Sequence, residues 1–200
     1  MMGRFREALW GAAVSVETEL TRLRGGDVEA VAAVMERYQH RVYRYLLRIV
    51  REPGTAEDLF QQTWLRVMER IRSYDPQRNF ESWLFVLARN LAIDHLRRYR
   101  PESLDEPLPS GDPRVELIVG AGAGALEQLL ARERAGWLAE AVVELPLVFR
   151  EVLTLRFEEE MKLEEIAAVL GVPLGTVKTR LHRALKHLRQ ALEVKLEAGS

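Results

Sequence analysis

Cysteine is absent from the 200-residue chain. That excludes disulfide frameworks, thiolate zinc sites and cysteine nucleophiles, and nothing else argues for an oxidising compartment, so the expected location is cytoplasmic. Long apolar runs are missing too. The N-terminal stretch MMGRFREALWGAAVSVETEL is interrupted by Glu7 and followed closely by Glu17 and Glu19, whereas a membrane span takes about 18–20 uninterrupted apolar residues. Neither a signal peptide nor membrane insertion is expected. No charge sign dominates either: 29 Lys and Arg against 30 Asp and Glu leave a formal net charge of −1. Coating nucleic acid by bulk charge is thereby excluded, and any useful basicity must be local.

Signatures of catalysis are equally scarce. His40, His95, His182 and His187 are dispersed, and neither HExxH nor GxxxxGK occurs. GAGAG at Gly120 to Gly124 reads as flexible linker rather than a phosphate loop. No enzymatic activity, cofactor or metal site is expected. Alternating strand patterns and repeats of fixed period are also absent, which leaves an all-α chain.

What is present is a pair of helical stripes near the C-terminus, in LEEIAAVLGVPLGTVKTRLHRALKHLRQAL. Leu163, Ile166, Ala167 and Leu170 share one face, and Gly171 is the residue type that most easily takes the left-handed backbone ending a helix. Pro173 has its φ pre-set for a first helical turn, and Leu174, Val177, Leu181, Leu185, Leu188 and Leu192 continue as a second stripe. This is a helix-turn-helix pattern. Its second helix carries Lys178, Thr179, His182, Arg183 and Lys186 outward, with Thr176, Arg180 and Arg189 beside them. No Asp or Glu lies between Ile166 and Leu192. A basic, acid-free helix suits a major groove, where cations neutralise phosphates and Arg, Lys, Thr and His reach base edges. A solvated basic face on an ordinary helical hairpin has the same spacing.

Upstream, Gly25–Asp27 breaks the chain and caps the helix VEAVAAVMERYQHRVYRYLLRIV, whose core face is Tyr38, Val42, Tyr45 or Leu46, and Ile49. Glu52-Pro53-Gly54 is expected to form a turn, and Thr55 to Asp58 a capping box opening a helix that runs to about Tyr74. That helix has a buried stripe of Phe60, Trp64, Val67 and Ile71. On its opposite face Asp58, Gln61, Gln62 and Leu65 stand together, which fits either a partner-docking face or a cap beside a scattered exposed Leu. After a loop at residues 75–79, FESWLFVLARNLAIDHLRR forms a long helix with Phe80, Leu84, Leu87 and Leu91 inward. Trp83, Asn90, Asp94, Arg97 and Arg98 combine a stacking ring, amide hydrogen bonding and cations. That mixture captures single-stranded bases, or else places a Trp in the core and arginines at a helix C-terminus.

Residues 101–125 are rich in Pro, Gly and acids and read as a flexible interdomain linker. Fully extended, such a segment reaches roughly 80–90 Å. The expected organisation is an N-terminal extension over 1–24, a helical domain over 25–100, the acidic linker over 101–125, and a helix-turn-helix domain over 126–200.

The stretches AEDLFQQTWLRVMERI, FESWLFVLARNLAIDHLRR and LEEIAAVLGVPLGTVKTRLHRALKHLR, in this order around an acidic linker, make the chain resemble a bacterial sigma factor of the extracytoplasmic-function (group IV, sigma-70) type. The resemblance covers roughly residues 25–98 and 126–192. It implies that Asp58, Gln61, Gln62 and Leu65 dock on the β′ clamp helices of core RNA polymerase, with the β flap as a further contact. It also implies that Asn79, Phe80, Trp83, Asn90, Asp94, Arg97 and Arg98 read the minus-ten element of promoter DNA and hold a flipped base. By the same resemblance Thr176, Lys178, Thr179, Arg180, His182, Arg183 and Lys186 read the minus-thirty-five element, and an anti-sigma factor controls the protein. Gln62 and Met68 depart from the family, which often has Glu and an aromatic there. The competing expectation is a helix-turn-helix regulator that does not replace the polymerase's specificity subunit.

Overall fold

The structure, a computed structural model, describes residues 18–99 and 141–198, and all regular structure among them is helical. The expected linker and the first part of the second domain, residues 126–140, lie outside the described residues. The chain divides into two compact units, Met1–Ala92 and Ile93–Ser200.

In the first unit, residues 18–24 are helical, and Leu20 and Leu23 are buried. The expected N-terminal extension is therefore in part a packed element. Three long helices follow: α1 (Val28–Val50), α2 (Pro53–Arg70) and α3 (Phe80–Tyr99). As expected, Asp27 caps α1, its carboxylate accepting the Glu29 N–H at 3.0 Å. Tyr38, Val42, Tyr45, Leu46 and Ile49 are all buried, each such burial contributing about 1.5–3 kcal/mol.

The entry to α2 differs from expectation. Arg51 takes a left-handed backbone (φ 61°) and ends α1, its N–H bonding to the Leu47 carbonyl at 2.9 Å. Glu52 is then the cap of α2, accepting the N–H groups of Gly54 and Thr55, so the helix starts at Pro53 and the Thr55–Asp58 box does not form. The physical reason is Pro53: with no N–H to satisfy it suits the first helical position, and Glu52 reaches the amides that follow. The buried face of α2 is Ala56, Leu59, Thr63, Trp64 and Val67. Ile71, in the 3₁₀ turn Ile71–Ser73 after it, is buried as well, whereas Phe60, expected on the stripe, is half-buried at its edge.

Helix α3 buries Phe80, Leu84, Phe85, Leu87, Ala88 and Ala92; Leu91, expected inward, is half-buried. Helix α3 runs unbroken through Ala92 and Ile93, between which the two compact units meet. Arg41 ties α1 to α3 through an ion pair with Glu81, its guanidinium 5.8 Å from the ring centres of Tyr38 and Phe85.

In the second unit, α4 (Leu147–Leu153) begins at Pro146, whose carbonyl accepts the N–H groups of Phe149 and Arg150. A π-helical segment, Thr154–Glu158, continues it, and the Glu159 N–H bonds to the Thr154 carbonyl at 3.0 Å. Glu160, left-handed at φ 55°, ends the run. Helices α5 (Leu163–Leu170) and α6 (Leu174–Ala198) follow and pack on each other, and α6 packs on α4. Phe149, Val152, Leu155, Ile166, Val169, Val177 and Ala184 form the core.

Candidate nucleic-acid interface and docking face

The turn between α5 and α6 forms as its residues dictate. The Lys162 N–H is satisfied by the Glu165 carboxylate at 2.8 Å at the start of α5. Gly171 ends α5 at φ 65°, a conformation glycine adopts without steric cost. The Thr176 N–H then bonds to the Pro173 carbonyl at 2.9 Å, setting the first turn of α6. The inward face of α6 is Val177, Ala184 and Leu188, with Leu181 half-buried beside them, while Leu185, expected on the stripe, is 39% exposed. Ala184 lets the backbone pack close and so takes the inward position.

On the other side Lys178, Lys186 and Arg189 are exposed, and Thr176, Thr179, Arg180, His182 and Arg183 are half-buried. The Thr179 hydroxyl donates to the Gly175 carbonyl at 2.9 Å. Its proton is thus used within the helix, and it offers a partner its methyl group and a lone pair. His187 stacks on Phe149 (5.4 Å between ring centres) and is a packing residue.

In the first unit, Asp58, Gln61, Gln62 and Leu65 all lie on the exposed side of α2, Leu65 being 54% and Met68 45% exposed. Asp58 caps nothing, because Glu52 does, so the local alternative of a capping role is removed. Exposed Leu65 and Met68 in a rim of amides and a carboxylate form an apolar spot with a polar border.

The loop before α3 is organised by rings. Tyr74 lies 5.1 Å from Trp83 and 5.6 Å from Phe80, and Phe80 lies 5.6 Å from Trp83 and 5.6 Å from Tyr38. Phe80, expected at the strand-binding surface, is only 5% exposed. Its first-turn position points it between these rings, so it supports the surface rather than belonging to it. Trp83 is half-buried, and Asn90, Asp94, Arg97 and Arg98 are exposed along α3, with Asp94 3.9 Å from Arg97. Asn79 caps α3: its carboxamide oxygen accepts the Ser82 N–H at 2.9 Å. An Asn immediately before a helix signalled that cap in the sequence.

Burial pushes the Tyr38 and Tyr74 phenols above their ordinary range, whereas the Arg22 guanidinium beside Asp27 holds its carboxyl below the usual value. The Tyr74 hydroxyl donates to the Arg78 carbonyl, fixing the loop. Beside it lies an open groove of about 450 Å³ whose lining includes Thr21, Arg24, Tyr74, Arg78 and Asn79. Sequence reasoning missed Thr21 and Arg24, which no motif marks. Among the described residues, no group of three or more His, Asp or Glu is placed to hold a metal ion, and no helix is long and apolar enough to cross a membrane.

By its fold the chain is an all-helical protein of two units, the second built on a helix-turn-helix. Residues 34–102 match Sigma-70 region 2, and residues 135–188 match Sigma-70 region 4. The chain is 29% identical over 180 residues to the ECF RNA polymerase sigma factor SigW of Bacillus subtilis, covering 88% of this chain and 96% of that one. It is 36% identical over 177 residues to the ECF sigma factor SigE of Mycolicibacterium smegmatis, covering 84% of this chain but 64% of that one. The fold is shared with CnrH, solved in complex with the cytosolic domain of CnrY, at a TM-score of 0.62 and 24% identity over 92% of this chain and 98% of that one. It is shared too with the Bartonella quintana sigma factor RpoE in complex with the anti-sigma factor NepR, at 0.61 and 22% over 84% and 99%. The chain belongs to the ECF RNA polymerase sigma factors of the sigma-70 family. Its role is that of a specificity subunit for transcription initiation, not of an enzyme.

Proposed function

We propose that this sigma factor binds core RNA polymerase through α2, reads a minus-ten element through the loop before α3 and α3 itself, and reads a minus-thirty-five element through α6. The observation that carries this reading is the acid-free face of α6, presented after a turn fixed by Gly171. In this reading Lys178 and Lys186, exposed, neutralise phosphates, and Thr176, Thr179, Arg180, His182 and Arg183, half-buried along α6, meet base edges. On α2, Leu65 and Met68 supply the apolar centre and Asp58, Gln61 and Gln62 the polar border of a face for the β′ clamp helices. The second unit's remaining surface serves the β flap.

Trp83 offers stacking surface, and Asn79 and Asn90 supply carboxamides for an unpaired base. Arg97 and Arg98 continue along α3 toward the strand's phosphates, and Asp94, 3.9 Å from Arg97, orients that guanidinium. Capturing an unstacked base offsets the few kcal/mol that unstacking costs and favours an open duplex. With a net charge of −1, the free chain binds DNA weakly and gains affinity on the polymerase, where linked sites raise effective concentration. CnrH, solved with CnrY, and RpoE, solved with NepR, support an anti-sigma partner for this cytoplasmic protein as well.

The test is run-off transcription with core polymerase and this protein on fragmented DNA of its own genome. Discrete starts sharing two upstream elements, absent without the protein, are expected. Failure of folded, inhibitor-free protein to create any start overturns the reading.

A further inference from the structure

We propose that the groove between residues 18–24 and the loop before α3 takes a nucleotide of the unpaired minus-ten strand, with Arg24 as the residue that meets its phosphate. The inference rests on the minus-ten reading above and adds to it a wall from a part of the chain outside the expected recognition loop and helix. The groove, about 450 Å³, is in the range of pockets that hold small ligands, roughly 300–1,000 Å³. It presents guanidinium groups, a hydroxyl, a carboxamide and aromatic rings on the first unit alone. Rings with cations are how single-stranded nucleic acid is held.

Charge within the groove singles out Arg24. Asp75 lies 3.6 Å from Arg78, and Glu81 is paired with Arg41, so both acids at the loop are matched. No carboxylate among the described residues pairs with Arg24, and it is exposed. Arg24 lines the groove together with Tyr74, and its charge opposes the upward push of burial on that phenol.

Its position is also fixed. Leu20 and Leu23 anchor the 18–24 segment in the core. The Gly25 N–H bonds to the Thr21 carbonyl at 3.1 Å and the Asp27 N–H to the Arg22 carbonyl at 3.1 Å, and Gly26 takes φ 90° to allow both. A cation held at the end of a capped, anchored segment loses little freedom on binding a phosphate.

The experiment uses the full chain assembled with core polymerase and a fluorescent bubble template cut from a mapped promoter, its minus-ten segment unpaired. Arg24→Gln is expected to weaken binding about tenfold, in line with the worth of a charge-assisted hydrogen bond. It should lower the slope of log affinity against log salt by about 0.7, the value for one phosphate of a single strand. Arg24→Lys should restore the slope. Affinity for core polymerase and for a duplex carrying only the minus-thirty-five element should stay at wild type. Replacing individual phosphates of the unpaired segment by methylphosphonate should weaken the wild type at one position and leave Arg24→Gln indifferent there. Wild-type bubble affinity in Arg24→Gln, with Asn90→Ala weakened, overturns the groove while leaving the minus-ten reading intact. Unchanged affinity in both variants overturns the reading on which the groove depends. A fall in core affinity with Arg24→Gln also overturns the proposal, because it moves Arg24 to the docking face.

Discussion

At the scale of single residues, two positions hold left-handed backbone without being glycine: Arg51 (φ 61°) and Glu160 (φ 55°). That conformation brings Cβ against a neighbouring carbonyl and costs about 1–2 kcal/mol. Glu160 is exposed, so Glu160→Gly relieves the crowding while giving up little contact. Part of the gain is offset by the greater freedom of glycine in the unfolded chain. The expected net effect is a stabilisation of about 0.5–1 kcal/mol, seen as a higher midpoint in thermal denaturation; an unchanged or lower midpoint refutes it. Neither position was legible in the sequence. Gly171 was, because its side chain, or lack of one, announces the conformation; Arg51 and Glu160 adopt it because the packing on either side requires a helix to stop there. Arg24 was illegible for a related reason, since a groove made by segments far apart in sequence leaves no local pattern.

Among elements, α2 shows how far periodicity reaches. Trp64 and Val67 were placed inward correctly, but the true face is rotated toward Leu59 and Thr63. Thr63 is buried because its hydroxyl donates to the Leu59 carbonyl at 2.7 Å. A pattern that counts only large apolar residues passes over such a Thr, as it passed over Ala184 in favour of Leu185 on α6. The outward face of α2 was read as it stands, with Asp58, Gln61, Gln62 and Leu65 all exposed. A carboxylate forced into the desolvated apolar centre of an interface costs more than the lost contact alone. Leu65→Glu is therefore expected to weaken binding to core polymerase roughly tenfold. Because Leu65 is 54% exposed, the melting temperature should not move. A titration of labelled core polymerase checks the first and a thermal melt the second; wild-type core affinity removes α2 from the docking face.

For the whole molecule, the two-unit plan and the helix-turn-helix were legible because each follows from local composition. The division of labour between units makes the converse prediction to that for Leu65. Lys178→Ala and Arg183→Ala should weaken minus-thirty-five-dependent initiation and, for Lys178, lower the salt slope on duplex DNA by about 0.9. Core affinity should be intact in both; if it falls equally, the units do not divide the work in this way. The ring cluster also gives the protein an optical property. Of the tryptophans among the described residues, Trp64 is 3% exposed in the core and Trp83 is half-buried beside Tyr74 and Phe80. A base stacking on Trp83 would quench its emission and leave that of Trp64 nearly constant, so capture of the unpaired strand carries a fluorescent signal seated in the Trp83 ring.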